Sequence, residues 1–172
     1  QNNHRFNVPD AFISKYNPDG TKEWTRLLGS SEFEIGSALT TGSDGSIYIA
    51  GSTLGNLDGQ TNNGGSLDAF ISKFTPDGTK EWTRLLGSSY ADHGRALTTG
   101  LDGSIYIAGS FGNNWTIQSC AISKFNPDGT KEWTKLLQTE SYDNAYALTT
   151  GSDGSIYIAG STEGDLDGQT NS

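Results

Sequence analysis

The sequence predicts an all-β fold assembled from four-stranded antiparallel blades. Two observations carry this. One block of residues returns three times along the chain. Within each copy, runs rich in β-branched and aromatic residues alternate with Asp-Gly turns. A composition with 23 Gly and only 33% hydrophobic residues suits short strands joined by tight turns, with little room for helices.

The repeat is explicit. Asp10-Ala11-Phe12-Ile13-Ser14-Lys15 recurs at 68–73 and returns, altered, at 119–124. Pro-Asp-Gly-Thr-Lys-Glu-Trp-Thr occurs at 18–25, 76–83 and 127–134. Asp-Gly-Ser-Ile-Tyr-Ile-Ala-Gly-Ser occurs at 44–52, 102–110 and 153–161. Equivalent positions lie 58 residues apart between the first two copies and 51 apart between the next two.

Each copy reads as two hairpins. The first joins strand a (Ala38–Thr41) to strand b (Ser46–Ser52) through Gly42-Ser43-Asp44-Gly45. The second joins strand c (Ala11–Tyr16) to strand d (Thr21–Leu28) through Asn17-Pro18-Asp19-Gly20, which has the residue preferences of a type I turn with Gly free to take a positive φ. Four antiparallel strands per repeat of about 50 residues is the period of a β-propeller blade. Apolar residues on both alternations of a strand fit sheets that are covered on both faces.

In chain order, residues 1–9 read as an irregular N-terminal segment. Residues 10–36 form a half blade of strands c and d with its connection. Residues 37–94 are a blade repeat, and 95–145 are a second with a shortened b-to-c loop. Residues 146–172 are a half blade of strands a and b with a tail. That totals three blades' worth per chain, too few to close a ring of about 4–8 blades. A second copy completing a six-bladed ring is the expected partner, and the remainder of a longer propeller chain is the alternative. The chain opens at Gln1 without an initiator Met, which reads as processing or excision from something longer.

The Ser-Asp-Gly-Ser-Ile-Tyr-Ile-Ala-Gly signature, with Leu-Asp-Gly-Gln-Thr-Asn at 57–62 followed by Asp-Ala-Phe-Ile-Ser-Lys, resembles the bacterial β-propeller repeat family known as SBBP. The resemblance runs from about Asp10 to Asn171. It implies a propeller fold and a secreted or cell-surface bacterial setting, and it brings no catalytic set with it.

Composition narrows the partners. The formal net charge is −9, from 20 acidic and 11 basic residues, with no basic stripe of the kind nucleic acid requires. Anionic membrane surfaces are disfavoured for the same reason, and no apolar stretch is long enough to span a bilayer. The single Cys120 forms no internal disulfide and reads as a small buried thiol.

Comparison of the copies locates the candidate site. The a–b and c–d turns barely change, whereas the d-to-a connection and the b-to-c loop diverge. Both variable segments lie at the same end of the blades, so a glycan or protein ligand is expected there. Its candidate contacts are Tyr90, His93, Arg95, Tyr142 and Tyr146, with Trp115, which has no counterpart in the other copies and suits stacking on a sugar ring. The bland reading of Trp115 is that it plugs the space left by the shortened loop and by Ala121 standing where Phe70 does. Trp24, Trp82 and Trp133 recur with the blade and read as packing residues.

Glu34, Asp92 and Asp143 are equivalent positions just before strand a, where they would ring the mouth of the central channel. Hard cations such as Ca2+ favour oxygen ligands of this type, so these three are the candidate metal ligands, against a plain acidic rim. Asp58-Gly59 and Asp167-Gly168 resemble parts of a calcium loop but lack its full spacing, and turn formation is their expected role. No residue is expected to be catalytic and no cofactor beyond that ion is implied. Near-identical blades give equivalent acids, not the unequal pair a glycosidase needs. The leading reading is therefore a non-catalytic binding or adhesion module. A purely structural self-assembling repeat and a glycosidase or lyase are the alternatives.

Overall fold

The computed structural model describes residues 8–64, 66–114, 117–137 and 139–172. Trp115 and His4 lie outside the described residues. Among the described residues there are twelve strands in four antiparallel sheets. Strands β1 (Ala11–Tyr16) and β2 (Lys22–Leu28) form a two-stranded sheet. Strands β3 (Glu34–Thr41), β4 (Ile47–Thr53), β5 (Asp68–Phe74) and β6 (Lys80–Leu86) form a four-stranded blade in sequential order. So do β7 (Asp92–Thr99), β8 (Ile105–Asn114), β9 (Ile117–Phe125) and β10 (Lys131–Leu137). Strands β11 (Asp143–Thr150) and β12 (Ile156–Thr162) close the series as a second pair. The expected two, four, four and two strands are all present.

Local chemistry sets each hairpin. In the c–d turn, Gly20 N–H donates to Asn17 O at 2.9 Å and Gly20 takes a φ of 86°. Asp19 accepts from the Thr21 backbone N–H at 2.9 Å and from its hydroxyl. Donation to a carboxylate favours its ionised form, which holds Asp19 below the usual carboxylate range. The long b-to-c loop folds through Leu57-Asp58-Gly59-Gln60, with Asp58 and Gly59 at φ of 51° and 75°. Two consecutive positive φ values make this a type I′ turn, for which Asp-Gly is a favoured pair. Turn formation is thus the role that the geometry gives Asp58.

Two sequence expectations shift. Strand a starts at Glu34, Asp92 and Asp143, four residues ahead of the Ala38 equivalents, because a bulge lets pairing resume beyond Gly36, Gly94 and Ala145. The span read as a shortened loop at 111–118 is largely strand: β8 and β9 stay paired out to Asn114 opposite Ile117. With seven residues gone, the strands extend instead of looping.

The sheets stack face to face. Ile13, Leu28, Ile49, Leu57, Phe70 and Phe74 fill the space between β1–β2 and the first full blade. Tyr48, Ile71, Leu97, Ile107 and Phe125 fill the next interface, and Tyr106, Cys120, Ile122 and Ala145 the last. Burial pushes the Cys120 thiol up to about 11, so it stays protonated and packs as an apolar group. Strand β5 is buried on both faces, as its continuous apolar character requires.

A polar clasp backs the first two interfaces. Trp82 Nε1 donates to Pro127 O at 3.1 Å and Arg84 Nε to Gly129 O at 3.0 Å, while the Arg84 guanidinium lies 5.5 Å from the Trp82 ring. Trp24 and Arg26 grip Pro76 and Gly78 in the same way, at 3.3 and 2.9 Å. Strands β2 and β6 therefore each hold the c–d turn of the following blade. The turn glycines Gly20, Gly78 and Gly129 all take a positive φ, and a Cβ on Gly78 would also lie 3.0 Å from the Trp24 ring.

Candidate functional site

Strands β3, β7 and β11, the strands a of their sheets, are innermost. Strand β7 lies against both β3 and β11, and Thr150 Oγ1 donates to Thr99 O at 2.9 Å as Thr99 Oγ1 does to Thr41 O at 3.1 Å. Along these three strands the last four positions, Ala-Leu-Thr-Thr, are identical, and Glu34/Asp92/Asp143 and Gly36/Gly94/Ala145 change little. The large changes fall at Ile35 and Ser37, His93 and Arg95, and Asn144 and Tyr146.

The second member of each pair is the bulged residue. Register breaks between Gly36 and Ala38, between Gly94 and Ala96, and between Ala145 and Ala147, leaving Ser37, Arg95 and Tyr146 unpaired in the ladder. A bulge releases a side chain from the ladder's alternation and re-aims it. The bulge is accommodated by the glycine opposite. A Cβ on Gly51, Gly109 or Gly160 would lie 1.9, 1.7 or 1.8 Å from the carbonyl oxygen of Ile35, His93 or Asn144. Only Gly fits beneath the bulged carbonyl.

Strand b adds an unchanging serine beside each bulge: Ser52, Ser110 and Ser161. These serines link the variable residues into one row. Ser52 Oγ lies 3.4 Å from His93 Nδ1 in the next blade. Arg95 Nε donates to Ser110 Oγ at 3.2 Å, and Ser110 Oγ donates to Asn144 Oδ1 at 2.6 Å. The Arg95 guanidinium lies 5.6 Å from the centre of the Tyr146 ring, and Ser161 Oγ lies 3.5 Å from Tyr146 Oη. Burial, reinforced by the Arg95 charge, lowers His93 below the usual histidine range, so it is neutral at pH 7. The row thus presents one cation, neutral imidazole and amide groups, hydroxyls and an exposed phenol ring.

Of the residues expected at the site, the structure joins Arg95 and Tyr146 directly and places His93 beside them in the same row. Tyr142 is exposed on the d-to-a connection leading into β11. Tyr90 is half-buried on the preceding connection, its Cβ close to Gly112, outside the Arg95–Tyr146 network. Trp115 falls outside the described residues. Asn144 and the three serines were missed as site residues. The serines are invariant between copies, and variation was the signal being read.

The three carboxylates expected as metal ligands are each engaged within their own connection. Glu34, Asp92 and Asp143 are buried first residues of β3, β7 and β11, not an exposed rim. Each carboxylate folds back to close its own d-to-a connection. Glu34 accepts from Ser30 N at 2.8 Å, Ser30 Oγ at 2.6 Å and Thr53 Oγ1 at 2.7 Å. Asp92 accepts from Ser88 N at 2.6 Å and from Gly112 N at 3.0 Å, the latter standing in for the hydroxyl lost where Phe111 replaces Thr53. Asp143 accepts from Thr139 N at 2.6 Å. Burial pushes Asp92 up to about 6, against the hydrogen bonds from Ser88 that favour its charged form. Among the described residues, no group of three or more His, Cys, Asp or Glu is placed to hold a metal ion.

Comparison with known proteins bears on the fold. A family model described as "Domain of unknown function (DUF5122) beta-propeller" matches residues 42–81 and 101–132, which carry parts of strands b to d of both full blades. The curated protein "Regulatory protein FlaEY" of Caulobacter vibrioides is 31% identical over 147 residues, which is 74% of this chain and 15% of that protein. This chain therefore spans a small part of that relative's length. A crystal structure of a protein of unknown function from Bacteroides caccae superposes with a TM-score of 0.54 at 11% identity, covering 92% of this chain and 53% of that one, a likeness of fold alone. The family match, with twelve strands in four antiparallel sheets, supports a β-propeller fold for this chain without singling out the SBBP repeat.

Proposed function

We propose that this chain is a non-catalytic binding module of a secreted or cell-surface bacterial protein. In this reading it recognises a glycan, or a protein surface, through the row of variable residues on its innermost strands. The observation that supports it most is where variation falls. The blades repeat nearly every packing residue, yet the bulged positions read Ser37, Arg95 and Tyr146, and their neighbours Ile35, His93 and Asn144. A bulge held open by Gly51, Gly109 and Gly160 lets these residues change without disturbing the ladder.

The chemistry of the row favours a glycan. Tyr146 is 54% exposed and presents an aromatic face. Arg95, Asn144 and the serines supply planar and hydroxyl groups that can meet ring hydroxyls. A glycosidase or lyase built on Glu34, Asp92 and Asp143 has less support, because those carboxylates already accept hydrogen bonds from their own connections.

The test is binding to a glycan array and to candidate surface proteins by the wild-type chain, Arg95→Ala and Tyr146→Ala. Each variant should lose about tenfold or more in affinity, on the scale of truncated interface anchors, with its circular dichroism unchanged. Binding that survives both substitutions overturns the site.

A further inference from the structure

Two successive interfaces are built from equivalent residues, with two exceptions. Ala11, Ile13, Leu28, Ile49 and Phe74 in the first correspond to Ala69, Ile71, Leu86, Ile107 and Phe125 in the second. Phe70 of the first, however, has become Ala121. Leu57 of the first has no counterpart, because the b-to-c loop that carries it is shortened in the next copy.

Both changes remove bulk from the same place. A recess of about 190 Å³ opens there, with Leu86, Phe111, Ala121, Lys131, Thr134 and Leu136 among its lining. Its two walls are the two full blades, so the gap is internal to the array.

The first full blade shows what such a face receives. There the loop turns back over its own blade and buries Leu57 completely, with Leu85 packed against the same cluster. The Asp58 carboxylate pairs with Lys80 through one oxygen and accepts from the Thr83 hydroxyl at the other. The three receiving residues persist in the second blade as Lys131, Thr134 and Leu136. Nothing described covers them in the same way. Thr83 is 3% exposed and Leu85 half-buried, whereas Thr134 is exposed and Leu136 is 58% exposed. Thr134 keeps the 2.7 Å hydroxyl contact with Ser123 that Thr83 makes with Ser72. Among the described residues, Lys131 has no ion-pair partner where Lys80 has Asp58.

We infer that this recess is a docking site for a turn of a partner protein that presents an apolar side chain followed directly by Asp or Glu. The apolar side chain takes the place that Leu57 holds in the first blade. The carboxylate takes that of Asp58, between the Lys131 ammonium and the Thr134 hydroxyl. Ala121 in place of Phe70 deepens the apolar part, so an aromatic side chain fits as well as Leu. The charge is complementary: an unpaired ammonium beside an exposed leucine selects an acid next to an apolar group. The site is separate from the row of Arg95 and Tyr146. That row lies on innermost strands, whereas Lys131, Thr134 and Leu136 lie on β10, at the other edge of the blade from β7.

The test uses a ring-closed peptide with the sequence of residues 54–62, Leu-Gly-Asn-Leu-Asp-Gly-Gln-Thr-Asn, added to the nitrogen-15-labelled 172-residue chain. Ring closure keeps the turn formed before binding. Saturable NMR shifts are expected at the amides of Gly112, Thr134 and Leu136, with a Kd of about 1 mM or tighter. In the peptide, Leu57→Ala should weaken binding about tenfold, and Asp58→Asn about two- to fivefold. The second difference should vanish in the Lys131→Ala chain, a substitution at an exposed position that leaves the fold intact. Arg95→Ala should bind the peptide as the wild type does, so failure of the row and failure of this site are told apart. The inference is overturned by the absence of saturable shifts at about 5 mM peptide. It is also overturned if Lys131→Ala leaves the preference for Asp58 over Asn unchanged. Binding that appears only in Trp115→Ala overturns it too, because the chain's own indole is then the occupant.

Discussion

Replacing Gly109 by Ala tests whether the bulge under Arg95 is built into the backbone. An added Cβ would lie 1.7 Å from His93 O, and real Cβ contacts essentially never fall below 3.0 Å. Relief therefore needs a displacement of about 1.3 Å, against backbone that cannot rotate away as a side chain can. The flanking pairs, Gly94 opposite Gly109 and Ala96 opposite Ala108, fix both strands. Overpacking of this kind costs about 1–3 kcal/mol, and one or two ladder hydrogen bonds disturbed with it add about 1 kcal/mol each, so about 3–5 kcal/mol is expected. The assay is urea unfolding followed by tryptophan fluorescence. Gly59→Ala is the control, since that residue also has a positive φ, 75°, but no atom within 4 Å of an added Cβ. Its cost should stay near the 1–2 kcal/mol of the left-handed backbone alone. If Gly109→Ala is no worse than Gly59→Ala, the bulge yields easily and the argument that it positions the row fails.

Two further outcomes follow from buried groups. Asp92 is raised to about 6 in the fold, above its unfolded value of 3.8, so between about pH 6 and pH 4 the folded state holds the extra proton. Wild-type stability relative to Asp92→Asn, which does not titrate, should therefore increase by about 1–2 kcal/mol as pH falls through that window. A constant difference from pH 7 to pH 4 would show that burial does not govern this carboxylate. Leu57 is fully buried at the turn that folds between β1–β2 and the first full blade, so Leu57→Ala should cost about 2–4 kcal/mol in the same urea assay. A loss below about 1 kcal/mol, well under the range for buried Leu truncations, would mean that the loop merely lies on the surface.

The strand plan was readable because its signals are local. Asp-Gly turns and period-two apolar runs need no knowledge of the neighbouring sheet. The roles of the turn glycines were only half readable. Gly78 announces a turn in sequence, but its contact with Trp24 comes from another blade. The carboxylates misled for the same reason. Glu34 and its equivalents look like a free acidic ring until Ser30, Ser88 and Thr139, each four residues earlier, are seen donating to them. That spacing was present in all three copies as Ser or Thr followed four residues later by Glu or Asp, and it was the missed signal. The paired change of Asp68 with Gly87 to Ser119 with Gln138 was another. A Cβ on Gly87 would sit 2.2 Å from Asp68 Oδ1, so a side chain there must push the carboxylate aside. Gln138 itself lies outside the described residues. His93, Arg95 and Tyr146 were legible because they break a repeat. Asn144 breaks it too, whereas Ser110 is invariant and its hydrogen bond between blades leaves no trace in its own strand.

The Trp-and-Arg grip on the following turn joins neighbours through residues that take no part in the row of variable residues. Each unit thus brings its own fastening on the outside and its own recognition residues on the inside, and the two are written at separate positions. A gene segment of this length can be duplicated without renegotiating the joint, after which the inner face is free to diverge. An array grown in this way gains binding diversity one module at a time while its mechanics stay constant.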